Sequence, residues 1–374
     1  MTDVSGRDAT VTTAGTTAGT TAEAAPQGRR ARDPFFDNAK FVAIVLVVAG
    51  HAIGGLRDVP AARAVYVFIY MFHMPVFILL TGYLSRGFTL AGGRVRKLTL
   101  QLVVPYVLFE VLFSLYFWAT TNKPLEFSLL QPTFVMWFLM AVFLWRLSTP
   151  VWKQLRWPFA IALGISLLSY MTEMPKELSL HRMFGLLPFY VLGTLLRPEH
   201  FQALRTPRAK VVGTAVLLAG LLFISTVGRK LPHQWVYWDS GHEALGVGNL
   251  MGTLIRTGMF GLSMTLTFAF LAVVPARHLW FTVLGATTLY AYLLHDFAVR
   301  TFMIYFGWYE LEWLHTLPGV TLVAVAGCVL ATVLCTPPVV RATRFLVEPR
   351  LTWLFAPAQP SLPAPRGVHQ SGKP

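Results

Sequence analysis

The sequence predicts an all-α fold: a polytopic membrane helical bundle of about ten transmembrane helices with both termini cytoplasmic. Composition, block length and the placement of basic residues carry that prediction. Of 374 residues, 55% are hydrophobic and 13% charged, where soluble domains carry about 25% charged residues. The formal net charge of +14 would suggest nucleic acid in a soluble protein, but so few charges exclude that reading. Cytosolic enzymes, disulfide scaffolds and disordered proteins are excluded with it.

Residues 1–33 form a Thr/Ala/Gly-rich stretch with no apolar periodicity, expected to be a disordered cytoplasmic tail. Asp37 and Lys40 interrupt the apolar run behind Arg29–Arg30, so a twin-arginine signal is not expected. From Pro34 to residue 355 runs the membrane domain, in apolar blocks of about the length a helix needs to span hydrocarbon. The expected spans are 34–54, 65–85, 98–119, 133–147, 157–172, 183–197, 210–228, 251–275, 279–305 and 317–337, the fourth and fifth being short. Residues 356–374 are a Pro-rich second tail. Twenty-one of the 31 basic residues fall in the tails and alternate loops of one side, which orients that side to the cytoplasm. The setting is the cell (plasma or inner) membrane. Cys328 and Cys335 lie in one apolar run and read as core-filling residues, with no metal set.

Charged groups within spans cost at least ~2.5–3.5 kcal/mol each and mark function or pairing. Here they are Asp37, Lys40, Glu110, Arg256 and Asp296, with His51, His73 and His295 beside them. At ~1.5 Å per residue from the cytoplasmic end, His51 stands about 25 Å up, His295 about 24 Å and Arg256 about 28 Å. Glu110 and His73 stand at about 18 and 16 Å. Five polar groups from five helices thus predict a chamber opening outward. Lys40 and His51 are eleven apart, three turns plus ~20°, and share a helix face roughly 16 Å from end to end. Asp37, three residues before Lys40, is placed to pair with it. A pantetheine arm has about that reach, with its phosphate at the cation and its thioester at the imidazole.

Two segments resemble a known family. Arg32–His51, RDPFFDNAKFVAIVLVVAGH, resembles the first-span signature of acyltransferase family 3, in particular its fucose 4-O-acetylase-like branch: Asp-Asn-x-Lys, an apolar run, Gly-His. Tyr70–Tyr83, YMFHMPVFILLTGY, is similar to that family's Phe-His-Met-Pro and Ser/Thr-Gly-Tyr segment. Pro105–Tyr106, Trp137–Leu139 and PFYVLG at Pro188–Gly193 are weaker echoes. The resemblance covers about 34–355. It implies transfer of an acyl group, usually acetyl from acetyl-CoA, to a hydroxyl of an extracytoplasmic or lipid-linked carbohydrate. Lys40 stands where the wider family has Arg, a point charge in place of a bidentate fork. His51 matches the histidine regarded as essential in the family.

On this reading Lys40 and the Arg94, Arg96, Lys97 loop hold the acyl-CoA phosphates, and His51 is the general base, its ordinary pKa near 6.5 suiting the role. Glu110 or Asp296 orients the imidazole. Arg256 or His73 stabilises an oxyanion or binds sugar, and His295 belongs to the same polar set. Trp235, Trp238 and Asp239, in the loop 229–250, are the most sugar-like outer feature, with aromatic-belt residues the competing reading. No metal is expected. The bilayer and a carbohydrate or glycolipid are the expected partners, nucleic acid is not, and oligomeric state is left open. The alternative is a secondary transporter or flippase, which would also carry intramembrane charges but should show two related halves.

Overall fold

A computed structural model describes residues 32–91, 93–121, 124–226, 232–349, 351 and 353; most of the two predicted tails lies outside them. The described residues are helical throughout, with no strand. The chain enters α1 (Pro34–Ala52) behind Asp33, whose carboxylate accepts the Phe35 N–H at 3.0 Å, a side-chain N-cap with Pro at the first helical position. Then come α2 (Pro60–Ser85) and α3 (Arg94–Leu98). A π-helical turn at Thr99–Val103 leads from α3 into α4 (Val104–Thr120). Pro105 has no N–H to return and would strike the preceding turn of a regular helix, so the wider turn relieves both.

The order continues α5 (Trp137–Trp152), α6 (Pro158–Ser169), α7 (Leu180–Gly185), α8 (Leu187–Leu195) and α9 (Pro198–Leu204). It ends with α10 (Pro207–Thr226), α11 (Asn249–Val273), α12 (Thr288–Val299), α13 (Leu317–Leu334) and α14 (Pro337–Val347). Seven helices among the described residues are long and apolar enough to cross a membrane. An eighth comes from 177–185 and α8 taken together, bent by 52°. The expected fifth span is only the 12-residue α6. The expected ninth is divided into a 3₁₀ turn at Thr282–Ala286, α12, and a π-helical turn at Arg300–Tyr305. Apolar run length alone did not reveal these breaks. There Thr282 and Thr287 turn their hydroxyls to Asn38 and to the Cys335 carbonyl, 2.7 and 2.8 Å away.

Polarity is inverted relative to a soluble protein. Val211, Leu218 and Leu222 of α10, and Leu322, Val325 and Val329 of α13, are exposed, whereas Asp37, Asn38, His73, Glu110, Arg256, His295 and Asp296 are buried. Lipid-facing apolar stripes around a polar interior are the arrangement a bilayer requires. Packing around α2 is close: a Cβ at Gly82 would fall on the Tyr190 carbonyl, and one at Gly193 on that of Leu79. Only glycine lets α2 and α8 cross with their backbones touching, the small-residue contact typical of membrane helices. Asn38 fixes the other side of α1, donating to the Pro275 and Arg277 carbonyls at 2.8 and 2.9 Å.

Candidate active site

His51 sits in the last turn of α1, where helix carbonyls lack intrahelical partners. The Tyr309 hydroxyl donates to two of them, Ala52 O at 2.8 Å and His51 O at 3.4 Å. Opposite lies α12. His295, fully buried, has Nδ1 at 2.8 and 2.9 Å from the Ala291 and Tyr292 carbonyls. A carbonyl only accepts, so His295 Nδ1 carries the proton and Nε2 is bare. That bare nitrogen is 3.4 Å from His51 Nδ1. Asp296 Oδ1 lies 4.0 Å from the same atom, and its Oδ2 accepts from Arg300 Nε at 2.7 Å. His51 Nδ1 therefore faces two acceptors and holds a proton, leaving Nε2 as its basic nitrogen. His73 is set in the same way, with Nδ1 on the Ile69 carbonyl at 2.9 Å.

A cavity of about 640 Å³ opens from this imidazole. His51, His73, Tyr66, Tyr70, Trp137, Tyr237, Trp238, Tyr292, Asp296 and Tyr309 line it, with Arg57, Arg182 and Arg300. The His51 ring stacks on Tyr70 at 5.9 Å, and Tyr70 on Tyr66 at 4.1 Å. Aromatic faces with a few fixed polar groups suit a sugar or another amphipathic ligand. His51, His295 and Asp296 offer donor atoms within 4.8 Å of one another, close enough to share a cation. The Arg300 guanidinium on the same carboxylate opposes a second positive charge there.

Towards the other end of α1 is a smaller cavity of about 180 Å³, lined by Lys40, Thr81, Phe138 and Arg146 among others. Lys40 Nζ pairs with Asp37 Oδ1 at 2.8 Å. Val47, Met74 and Tyr292 line both cavities, so these three side chains form the wall between the Lys40 end and His51.

Residues 33–337 match the family model described as an acyltransferase domain, that of acyltransferase family 3. The chain belongs to the acyltransferase 3 family. It is similar to the nodulation protein NolL of Mesorhizobium japonicum, 34% identical over 111 residues, which is 29% of this chain and 28% of that protein. It is also similar to NolL of Sinorhizobium fredii, 31% identical over 133 residues, 31% of this chain and 36% of that one. The alignments thus span about a third of those relatives. No solved structure matches.

Within this acyltransferase fold the residues singled out from sequence fall into four groups. His51, His73, His295, Asp296 and Trp238 converge on the larger cavity or its relay. Lys40 lines the smaller cavity. Arg94 instead spends its guanidinium on its own loop, donating to the Gly87 carbonyl at 2.8 Å and to Thr89 at 3.1 Å, and neither Arg96 nor Lys97 lines either cavity.

The rest stand elsewhere. Glu110 does not reach His51: its carboxylate accepts the Thr133 N–H at 2.8 Å, because its face of α4 looks onto the segment before α5. Arg256 is a staple and lines neither cavity. It donates to the Trp235 and Ser240 carbonyls at 2.7 and 3.2 Å and lies 4.1 Å from the Tyr170 ring. Trp235 is buried in that contact. Asp239 pairs with Arg182 at 2.7 Å at the edge of a neighbouring cleft. Sequence reading gave Arg57, Arg146, Arg182 and Arg300 no role beyond orientation. It gave no role to Tyr66 or Tyr309, whereas Tyr237, with Trp235, Trp238 and Asp239, was among the loop residues expected to meet a sugar, and it lines the larger cavity.

Proposed function

We propose that this acyltransferase is an integral membrane O-acyltransferase using cytoplasmic acyl-CoA, most simply acetyl-CoA, as donor. The acceptor is a hydroxyl of an extracytoplasmic or lipid-linked carbohydrate. Ten membrane crossings, counting the bent α7–α8 pair, α6 and α12, with both termini cytoplasmic, complete the reading. The basic-residue bias supports that orientation.

The observation that carries the chemistry is the His51–His295–Asp296 relay facing a cavity walled by aromatic rings and guanidinium groups. The donor phosphates sit at Lys40 and Arg146, and the thioester passes the Val47–Met74–Tyr292 wall. His51 Nε2 takes the acceptor hydroxyl proton as its oxygen bonds to the thioester carbonyl carbon. The tetrahedral oxyanion develops beside the Arg182 and Arg300 guanidinium groups of the cavity, where fixed positive charge lowers the barrier. As the C–S bond breaks, His51 returns the proton to the CoA sulfur. His295 and Asp296 hold the imidazole in the one tautomer that leaves Nε2 basic.

The test gives purified protein in nanodiscs labelled acetyl-CoA and a panel of glycosides. Labelled ester is expected on at least one acceptor, with Lys40→Ala raising the KM for acetyl-CoA. Failure of every acceptor and of other acyl-CoA donors would refute the assignment.

A further inference from the structure

Charge around the larger cavity does not balance. Arg300 is paired with Asp296 and Arg182 with Asp239, each at 2.7 Å. Among the described residues no carboxylate is paired with Arg57, the third guanidinium of the lining: Nη1 donates to the Tyr237 hydroxyl at 2.7 Å, and the group lies 5.0 Å from the Tyr66 ring centroid. The nearest carboxylate in sequence, Asp58, is turned to His315 at 2.7 Å. The Tyr66 hydroxyl is in turn 2.9 Å from that of Tyr237. Two phenols thus fix the guanidinium in position without neutralising it. The field extends beyond the cavity: burial, and then the charges of Arg57 and Arg63, hold His233 towards its neutral form.

A half-buried guanidinium that is positioned but not neutralised is a recognition group for a planar or tetrahedral oxyanion, which it engages through parallel N–H donors. Arg57 follows His51 by six residues, across the turn that ends α1, and both line one cavity. We propose that the acceptor carries an oxyanion, the carboxylate of an acidic sugar or the phosphate of a sugar phosphate, and that Arg57 binds it and so places the hydroxyl at His51. This rests on the cavity being the acceptor site.

The test separates the two readings by measuring binding without donor. Cavity-lining Trp137 and Trp238 report ligand through fluorescence of nanodisc-held protein, titrated with methyl glucuronide, glucose 1-phosphate and neutral methyl glucoside. At least one anionic probe is expected to bind ten-fold or more tightly than the glucoside, and more weakly as salt rises. Whichever anion gains identifies the group. Arg57→Gln should erase the preference and Arg57→Lys restore part of it. In the transfer assay, Arg57→Gln should raise the acceptor KM at least ten-fold with kcat within about three-fold. Equal binding of charged and neutral probes, binding of none, or an intact preference in Arg57→Gln would overturn the proposal. Arg57-dependent anion binding with no acyl transfer to any acceptor would uphold the anion site and refute the transfer reading instead.

Discussion

Replacing His295 by Leu isolates the proposed relay from the base assigned to His51. The native ring is fully buried and does not line the larger cavity. Its Nδ1 bonds are to helix carbonyls that already serve the regular α12 ladder, so removing the ring strands no backbone group. Leu fills most of the space, and the stability cost should stay near 1 kcal/mol. What is lost is the Nε2 acceptor 3.4 Å from His51 Nδ1. Without it His51 can place its proton on either nitrogen, and the fraction with Nε2 bare falls. The contact is long and Asp296 remains at 4.0 Å, so the expected loss is that of an orienting partner, about 10–100-fold in kcat. That is about 1.4–2.7 kcal/mol in the transition state. Steady-state transfer should show the loss in kcat with acceptor and donor KM within three-fold, and the pH profile of kcat should shift. His295→Gln, whose amide oxygen still accepts, should recover part of the rate. Wild-type kcat and an unchanged pH profile in His295→Leu would refute the relay.

Three further outcomes follow from other contacts. Val47→Phe should narrow the wall shared by the two cavities and cut transfer at least ten-fold with the protein folded; an unchanged rate would mean that the donor takes another path. Gly82→Val should drive a side chain onto the Tyr190 carbonyl and cost about 1–3 kcal/mol or more, read as a lower melting temperature in detergent. His315 has both ring nitrogens on acceptors, Asp58 at Nδ1 and the Tyr309 carbonyl at Nε2, each at 2.7 Å. The Tyr309 carbonyl first, and then Asp58, raise its pKa above the ordinary 6.5. The segment 308–315 should therefore be fully anchored below pH 6.5 and loosen as pH climbs through the raised value. Hydrogen exchange of that segment reads it, and Asp58→Asn should weaken the dependence.

The fold class was legible because lipid imposes its own arithmetic: long apolar blocks, scarce charge and a one-sided basic bias. Residue-by-residue breaks were not, since those of the expected ninth span rest on contacts with distant segments, Thr282 with Asn38 and Thr287 with the Cys335 carbonyl. Intramembrane polarity drew attention to His51, His73, His295 and Asp296, which the fold gathers at or beside one cavity, because a buried imidazole or carboxylate must find partners wherever the chain puts it. The same logic misplaced Arg256 and Glu110. Their depth along the helix was reasonable, but depth says nothing of which face they occupy, and one holds a loop while the other holds a backbone N–H. Arg57, Arg182 and Arg300 were hidden in the topology count, where a cation near the outer end of a span looks the same whether it meets headgroups or a cavity.

Acetyl transfer by His51→Ala, measured on folded protein beside wild type and the acceptor it uses, tests the central claim most directly. Loss of a general base predicts a fall of about 10²–10⁴-fold in kcat, with Lys40-dependent donor binding intact. Undiminished transfer by the folded variant would contradict it.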